Sequence, residues 1–296
     1  MLPPSPLSQR GPMIPETNLP ATNLTDTEIK SLTDLACRLA DAAGAACMPY
    51  FRSTGLGAED KNSDSEGVFD PVTAADRAAE TAIREILAVE RPDDGIFGEE
   101  QAPTIGTSGL NWVIDPIDGT RAFISGLPTW GVLIALDDGQ TGRIGVVDQP
   151  HIGERFVGVN GGEDRQAWLT HRGKTQPIAT RPCPGLASAT LYTTTPDMFT
   201  PHQWEGYRRV ESQVRLARYG VDCYAYALVA LGHVDLVIES DLKAYDIAGP
   251  MALIQAAGGI VTDWRGGDWR WGGQAIAAGD PVVHAEALAV LRDYAT

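Results

Sequence analysis

The chain has 296 residues, of which 43% are hydrophobic and 21% are charged, and its formal net charge is −16. This length and composition are typical of a globular protein with one large domain or two medium domains. The excess of acid argues against binding to nucleic acid or to an anionic membrane surface.

The ends and the cysteines of the chain indicate its compartment. The first 24 residues are rich in Pro, Ser, Thr and Asn, lack the apolar stretch of a signal peptide, and are predicted to form a disordered tail. No run approaches the length of a membrane span, and the four cysteines form no C-x-x-C pair. We therefore expect a cytoplasmic protein with reduced thiols.

Two helices are predicted before the first strand. Apolar residues at helical spacing predict one helix from Thr25 or Asp26 to about Phe51. The segment Asp70–Asp76 opens a second helix that runs to about Val89. In its first turn, the carboxylate of Asp76 could simply complement the helix dipole.

The middle of the chain reads as a sheet. Strands are predicted at residues 95–100, 112–114, 131–136, 143–148, 155–159 and 166–170. They form a largely antiparallel sheet that the two early helices cover. A cluster of Pro and Gly near residues 177–185 marks a boundary between an N-terminal α+β domain, residues 25–180, and a C-terminal α/β domain, residues 181–296.

Strands and helices alternate beyond this boundary. Strands are predicted at residues 189–192, 213–216, 234–239 and 275–278, and helices at 201–210, 223–231, 247–257 and 285–294. Asp246 is expected to open the third of these helices, and Gly258 to end it.

The segment W-V-I-D-P-I-D-G-T, residues 112–120, carries the clearest chemistry. A buried strand ends at Asp115, Pro116 excludes a helix, and Asp115 and Asp118 can point to one side. Gly119 allows close approach of a ligand, and Thr120 could cap the next element. Two converging carboxylates favour a hard cation such as Mg²⁺. The simpler interpretation is a turn whose aspartates only cap a helix.

Five acids lie where predicted strands end or helices begin: Asp76, Glu99, Asp115, Asp118 and Asp246. Together they could hold two or three Mg²⁺ ions, which would activate water and stabilise the leaving oxygen of a phosphoryl group. Helix N-termini after Gly119 and Asp246 would help hold the phosphate. The residues alone therefore indicate a metal-dependent phosphoryl enzyme.

Four motifs resemble the inositol monophosphatase family of Mg²⁺-dependent, lithium-sensitive phosphatases. They are D-P-V-T-A-A-D (70–76), G-E-E (98–100), the segment 112–120, and A-Y-D-I-A-G (244–249), and the resemblance covers about residues 27–295. It implies a layered αβαβα sandwich related to fructose-1,6-bisphosphatase, an α+β or α/β fold, and a homodimer. One departure is Tyr245, where the family usually has Trp; the ligand Asp246 is kept.

The resemblance also implies roles for residues. Glu99, Asp115 and the Ile117 carbonyl would hold one metal ion, while Asp115, Asp118 and Asp246 would hold a second. Glu99 and Asp76 would hold a weaker third ion. Thr120, with Thr73, would orient and deprotonate the attacking water, and the backbone N–H groups of Gly119 and Thr120 would bind phosphate. Asp118 and Asp246 would also contact the substrate.

The family hydrolyses several phosphate esters, so the fold alone does not identify the substrate. The segment R-Y-G-V-D-C-Y, residues 218–224, is similar to the histidinol-phosphatase branch, and Glu239 falls where the family places a carboxylate on the substrate. A carboxylate at Asp222 would suit the ammonium group of histidinol phosphate. The alternative is that Asp222 caps the helix predicted at residues 223–231.

These patterns predict a Mg²⁺-dependent histidinol-phosphate phosphatase of histidine biosynthesis that uses metal-activated water. No histidine or cysteine lies in a recognisable nucleophile motif, so in-line attack without a covalent phosphoenzyme is expected. One alternative is the same chemistry on inositol-1-phosphate or another small sugar or nucleotide phosphate. A second is a regulator that binds metal or phosphate without catalysis.

Overall fold

Two large β-sheets and three groups of helices form alternating layers in the computed structural model, and two short strands form a small third sheet. The structure describes residues 24–53, 58–60, 71–161, 164–267 and 272–296. The helices are α1 (Asp26–Cys47), α2 (Ala74–Glu90), α3 (Thr120–Ile124), α4 (Pro201–Glu211), α5 (Tyr224–Ala230), α6 (Ala244–Ala256) and α7 (Pro281–Leu291). The predicted disordered tail lies outside the described residues, apart from Leu24.

Fourteen strands are found in the described part of the chain. They are β1 (Ala58–Asp60), β2 (Pro71–Thr73), β3 (Gly95–Gly98), β4 (Asn111–Asp118), β5 (Gly131–Asp137), β6 (Gly142–Gln149), β7 (Glu154–Gly161), β8 (Asp164–His171), β9 (Lys174–Pro177), β10 (Thr190–Thr193), β11 (Leu216–Tyr219), β12 (Leu236–Leu242), β13 (Ile260–Thr262) and β14 (Gly273–Ala278). The prediction did not include β1, β2, β9 and β13, which are short.

The first sheet has seven strands in the order β3-β4-β5-β6-β7-β8-β9. All neighbours are antiparallel except β3 and β4, which are parallel. Alternate residues of its strands face two different cores: Trp112 and Ile114 contact α1 and α2, whereas Val113 points to the opposite side. Burial on both faces explains the nearly continuous apolar runs in the sequence.

The second sheet has five strands in the order β11-β10-β12-β14-β13. Helices α4 and α7 cover its outer face, and α5 and α6 lie between the two sheets. Three hydrophobic cores therefore fill the interfaces between the layers, and the predicted layered sandwich is confirmed. The division into two domains at residue 180 stays a prediction.

Glycines in the first sheet let α6 approach its backbone closely. A Cβ atom at Gly145 would lie 2.2 Å from the Gly249 carbonyl oxygen, and one at Gly158 would lie 2.5 Å from the Cα of Leu253. Neither distance is sterically possible without movement of the helix or the strand. Small residues thus set the position of the helix that carries Asp246.

Several predicted boundaries were wrong. Helix α1 ends at Cys47 and not near Phe51, because Pro49 has no N–H to continue the helical hydrogen bonds. The strand expected at residues 213–216 is β11, which begins only at Leu216, since Gln213 and Val214 still donate hydrogen bonds to the end of α4. Helix α6 begins at Ala244, two residues before Asp246.

No helix in the described ranges combines the length and the apolar character needed to cross a bilayer.

Candidate active site

Strands β3 and β4 deliver two of the predicted acids to one edge of the first sheet. Gly98 pairs with Ile114 in parallel register, so Glu99 and Asp115 follow side by side. Parallel strands present their carboxyl ends at the same edge, where loops form clefts. Local sequence and strand direction together bring these carboxylates into one place.

A β-bulge turns Asp118 to the same side as Asp115. Asp115 pairs with Leu133 and Asp118 pairs with Gly131. Strand β4 therefore advances by three residues over the length in which β5 advances by two. In a regular strand, residues three apart would face opposite sides; the extra residue at the bulge reverses that alternation. Pro116, which has no N–H, lies within the bulge, so the strand continues where the sequence suggested a turn.

The remaining acids come from helices. Asp76 lies in the first turn of α2 and is buried, and Asp246 lies in the first turn of α6, where its Oδ2 accepts a hydrogen bond from the Lys243 N–H at 2.6 Å. Asp115, Asp118 and Asp246 each offer a carboxylate oxygen, and these oxygens lie within 4.8 Å of one another. The structure thus brings these three predicted residues together, and their roles as metal ligands stay predictions.

The cluster is electrostatically costly without a cation. Burial raises the pKa of Asp115 well above its usual range, and the negative charges of four further acids, Glu99, Asp118, Asp246 and Asp76, raise it more. Burial and then Glu99 raise the pKa of Asp246 to about 8. The acids that the sequence singled out therefore all act on Asp115.

The chemistry of this donor set fits Mg²⁺. The donors are all hard carboxylate oxygens, to which the Ile117 carbonyl could add another. A divalent cation would offset the mutual repulsion that raises these pKa values. Soft ligands are not part of the cluster, so the residues suit a hard ion better than a thiolate-seeking metal.

A cavity of about 400 Å³ opens beside the carboxylates. Gly119, with φ of 84°, lines this cavity and precedes α3, so Gly119 and not Thr120 occupies the N-cap position. The Thr120 hydroxyl instead donates to the Ile117 carbonyl oxygen at 3.2 Å. Thr73 ends β2 directly before α2, and the role predicted for its side chain stays a prediction.

Asp222 lines the same cavity, and its alternative role as a helix cap is wrong. Its φ is 48°, and the N-cap position of α5 belongs to Cys223, whose N–H donates to Asp118 Oδ2 at 2.7 Å. The side chain of Asp118 therefore accepts a hydrogen bond at the N-terminus of α5, where the cap was expected to be Asp222. The Asp222 carboxylate accepts a hydrogen bond from the Thr129 hydroxyl at 3.2 Å, and burial raises its pKa.

Glu239 lines the cavity and is buried, with 3% of its surface exposed. Its Oε1 accepts hydrogen bonds from the N–H and the hydroxyl of Thr194, at 2.8 and 2.6 Å, and its Oε2 accepts one from the Tyr226 hydroxyl at 2.7 Å. The carboxylate thus joins β10, β12 and α5. A substrate contact by Glu239 stays a prediction, since its protein partners already use both oxygens.

The sequence interpretation missed several residues of the cavity. They are Arg121, Thr194, Thr195, Asp197, Tyr226, Asp241 and Lys243. The signal that could have found Thr194 is positional: β10 and β12 are parallel neighbours, so the residues after β10 reach the same edge as Glu239.

Comparisons with known proteins show which family the chain is similar to. The model of the inositol monophosphatase family matches residues 28–295. The chloroplastic bifunctional phosphatase IMPL2 of Arabidopsis thaliana is 40% identical over 283 residues, covering 92% of this chain and 78% of that protein. A histidinol-phosphatase of Chlorobaculum parvum is 32% identical over 251 residues, covering 85% of this chain and 90% of that one.

A solved structure adds the fold. An inositol monophosphatase from Zymomonas mobilis superposes with a TM-score of 0.76 at 40% identity, covering 89% of this chain and 98% of that chain. Fold, site and relatives together define a phosphatase. The chain belongs to the inositol monophosphatase family.

Proposed function

We propose that the protein is a Mg²⁺-dependent histidinol-phosphate phosphatase that acts in the cytoplasm as a homodimer. The observation that carries the substrate assignment is Asp222, whose carboxylate lines the cavity beside the carboxylate cluster. Histidinol-phosphatases among the relatives support the same branch. An anionic side chain beside the phosphate site favours an ester whose alcohol carries a positive charge.

Glu99, Asp115 and the Ile117 carbonyl would hold one Mg²⁺. A second would be held by Asp115, Asp118 and Asp246, and a third by Glu99 and Asp76. Bound Mg²⁺ supplies Lewis-acid stabilisation of the phosphoryl oxygens and lowers the pKa of water. The backbone N–H groups of Gly119 and Thr120 would orient the phosphate.

The proposed reaction is in-line attack by water on the phosphoryl group, without a covalent intermediate with the protein. The Thr120 hydroxyl donates to the Ile117 carbonyl, so its oxygen is left to accept a hydrogen bond from the attacking water and orient it, with Thr73 in support. Cys223, the cavity's thiol, is a poor nucleophile because burial and then the Asp118 charge hold its pKa well above the usual range. None of the five histidines, all of them in the described ranges, lines the cavity.

A second candidate is hydrolysis of inositol-1-phosphate, which the 40% identity to the Zymomonas mobilis inositol monophosphatase favours. In that case Asp222 would meet a hydroxyl and not an ammonium group.

The test is phosphate release with Mg²⁺ from histidinol phosphate, inositol-1-phosphate and adenosine 3′,5′-bisphosphate at equal concentrations, with and without chelator. We expect a clear preference for histidinol phosphate that the chelator abolishes. Asp222→Asn should lower kcat/KM on histidinol phosphate by about tenfold or more. Asp241→Asn is the matched control, since Asp241 also lines the cavity with a positive φ, 58°, that Asn tolerates.

Preference for inositol-1-phosphate in the wild type would reject the substrate assignment. Metal binding without phosphate release from any ester would instead support a non-catalytic regulator.

A further inference from the structure

The loop that presents Asp222 is conformationally strained. Gly220, Val221 and Asp222 have φ values of 82°, 98° and 48°, so three successive residues occupy the left-handed half of the map. Glycine adopts such values freely, but a β-branched residue such as Val221 does so at a cost of about 1–3 kcal/mol. Strain of this kind persists only where surrounding contacts hold the backbone in place.

One backbone hydrogen bond and one close approach of a side chain seat this loop on the end of β4. The Cys223 N–H donates to Asp118 Oδ2 at 2.7 Å. On the other side, Asp222 lies directly over Gly119, where a Cβ atom would come within 2.8 Å of the Asp222 Cγ. The loop is thus seated on the residues that carry the proposed metal and phosphate sites.

A separate chain of contacts holds the carboxylate itself. The Thr129 hydroxyl donates to Asp222 Oδ2 at 3.2 Å, and the side-chain amide of Gln149 donates to the Thr129 carbonyl oxygen at 3.3 Å. Gln149, at the end of β6, is 1% exposed, so this support comes from the interior of the first sheet. In the described part of the chain, Asp222 Oδ1 accepts no hydrogen bond, and Asp222 lines the cavity.

We propose that Thr129 is a positioning residue for substrate specificity: its hydroxyl ties down Asp222 Oδ2 and leaves Oδ1 directed at the ammonium group of the substrate. This inference rests on the proposed function. Thr129 is absent from the described lining of the cavity, so it acts through Asp222 and not by contact with the ester. The charge of Arg121 also attracts the Asp222 carboxylate, so the Thr129 hydrogen bond is one of two interactions that favour its ionised form.

The contribution of Thr129 to substrate binding should depend on the charge of the alcohol group of the ester. A fixed carboxylate oxygen offers an ammonium group a preformed acceptor without further loss of side-chain entropy. An inositol ester gains much less, because a neutral hydroxyl forms a weaker bond with the same oxygen. Loss of the Thr129 hydroxyl should therefore reduce discrimination between the two esters more than it reduces catalysis.

The experiment measures kcat and KM with Mg²⁺ on histidinol phosphate and inositol-1-phosphate for the wild type, Thr129→Val, Thr129→Ser and Asp222→Asn. Thr129→Val keeps the shape and removes the hydroxyl. We expect the ratio of kcat/KM for the two esters to fall about tenfold, mainly through a higher KM on histidinol phosphate. Thr129→Ser should restore the ratio. Thr170→Val, which removes a hydroxyl bonded to Thr175, should leave it unchanged.

An unchanged ratio in Thr129→Val, or an equal loss on both esters, would overturn the inference while Asp222→Asn still reports on the proposed function. No preference in the wild type would reject the proposed function and this inference with it. Full preference in Asp222→Asn would reject the recognition role of Asp222, and therefore this inference, while the activity on histidinol phosphate would stand. Should Thr129→Val fail to fold, as judged by its melting curve, Thr129→Ala provides the same comparison with less bulk.

Discussion

At the scale of single residues, Asp115 has the largest predicted effect on activity. It is buried, and four other carboxylates act on it. We expect Asp115→Asn to reduce phosphate release by roughly a thousandfold or more, since it removes a ligand proposed to serve two metal ions. The same variant should melt at a higher temperature than the wild type in chelator, because it removes a carboxylate that is unfavourable when ionised.

Asp34→Asn, on the exposed side of α1, is the control and should change neither quantity. A lower melting temperature of Asp115→Asn in chelator would show that its carboxylate stabilises the metal-free fold.

Glu239 is expected to matter for folding as well as for any contact with substrate. Replacing it with Leu leaves the Thr194 and Tyr226 donors buried without their acceptor. We expect Glu239→Leu to lower the free energy of unfolding by about 2–4 kcal/mol in denaturant titrations, and Glu239→Gln to lower it less. Glu85→Leu, at an exposed position of α2, should stay within about 0.5 kcal/mol of the wild type. Equal effects of all three variants would contradict the structural role.

At the scale of elements, the strained connection between β11 and α5 makes an unusual prediction for Val221→Gly. Glycine removes the strain of the positive φ, 98°, in the folded state, but it also increases the conformational entropy of the unfolded state. Because these two effects oppose each other, the free energy of unfolding should change by less than about 1 kcal/mol. Selectivity for histidinol phosphate should nevertheless fall, because Asp222 is held less firmly. The comparison is Val89→Gly in α2, where ordinary helical geometry predicts a loss of about 0.5–1 kcal/mol.

Contact between α6 and the first sheet gives a second prediction for an element. Gly158→Ala would place a methyl group 2.5 Å from the Leu253 Cα, so the helix or strand must move. We expect a loss of about 1–3 kcal/mol in the free energy of unfolding. Gly153→Ala separates this steric effect from backbone strain, because Gly153 has a positive φ, 78°, but nothing within 4 Å of the added atom. A smaller loss at Gly158 than at Gly153 would argue against the close packing.

How well the sequence predicts a structural feature of this protein depends on whether local or long-range interactions determine that feature. The apolar periodicity of α1 and α2 and the acids at strand ends depend on local order and strand direction, and the sequence predicts them well. The exchange of roles between Asp118 and Asp222 was not predictable, since it depends on three successive positive φ values and on a contact between distant segments. Nor could spacing show that Glu239 already has three protein donors.

At the scale of the whole molecule, metal and pH should act together on stability. The folded metal-free protein holds Asp246 with a pKa of about 8, above its ordinary value of 3.8, so the folded state binds more protons than the unfolded state between these pH values. The stability of the metal-free form should therefore fall as pH rises from about 5 to 8. Mg²⁺ requires the ionised carboxylate, so its stabilising effect should grow over the same range.

Melting temperatures with Mg²⁺ and with chelator, at pH 5, 6, 7 and 8, test this. The difference between the two should increase with pH; a constant difference would mean that proton release and metal binding are independent in this cluster.

Helix α6 lies between the two sheets and carries Asp246 to acids that come from the first half of the chain. The carboxylate set is therefore complete only after the two halves have docked. An intermediate with a finished first sheet but a separate second one would hold Asp115 and Asp118 without Asp246, and it would not hydrolyse the ester. The return of activity during refolding should therefore trail the return of secondary structure and report the last assembly step. A chain whose second half has not yet folded is therefore expected to release no phosphate from an ester.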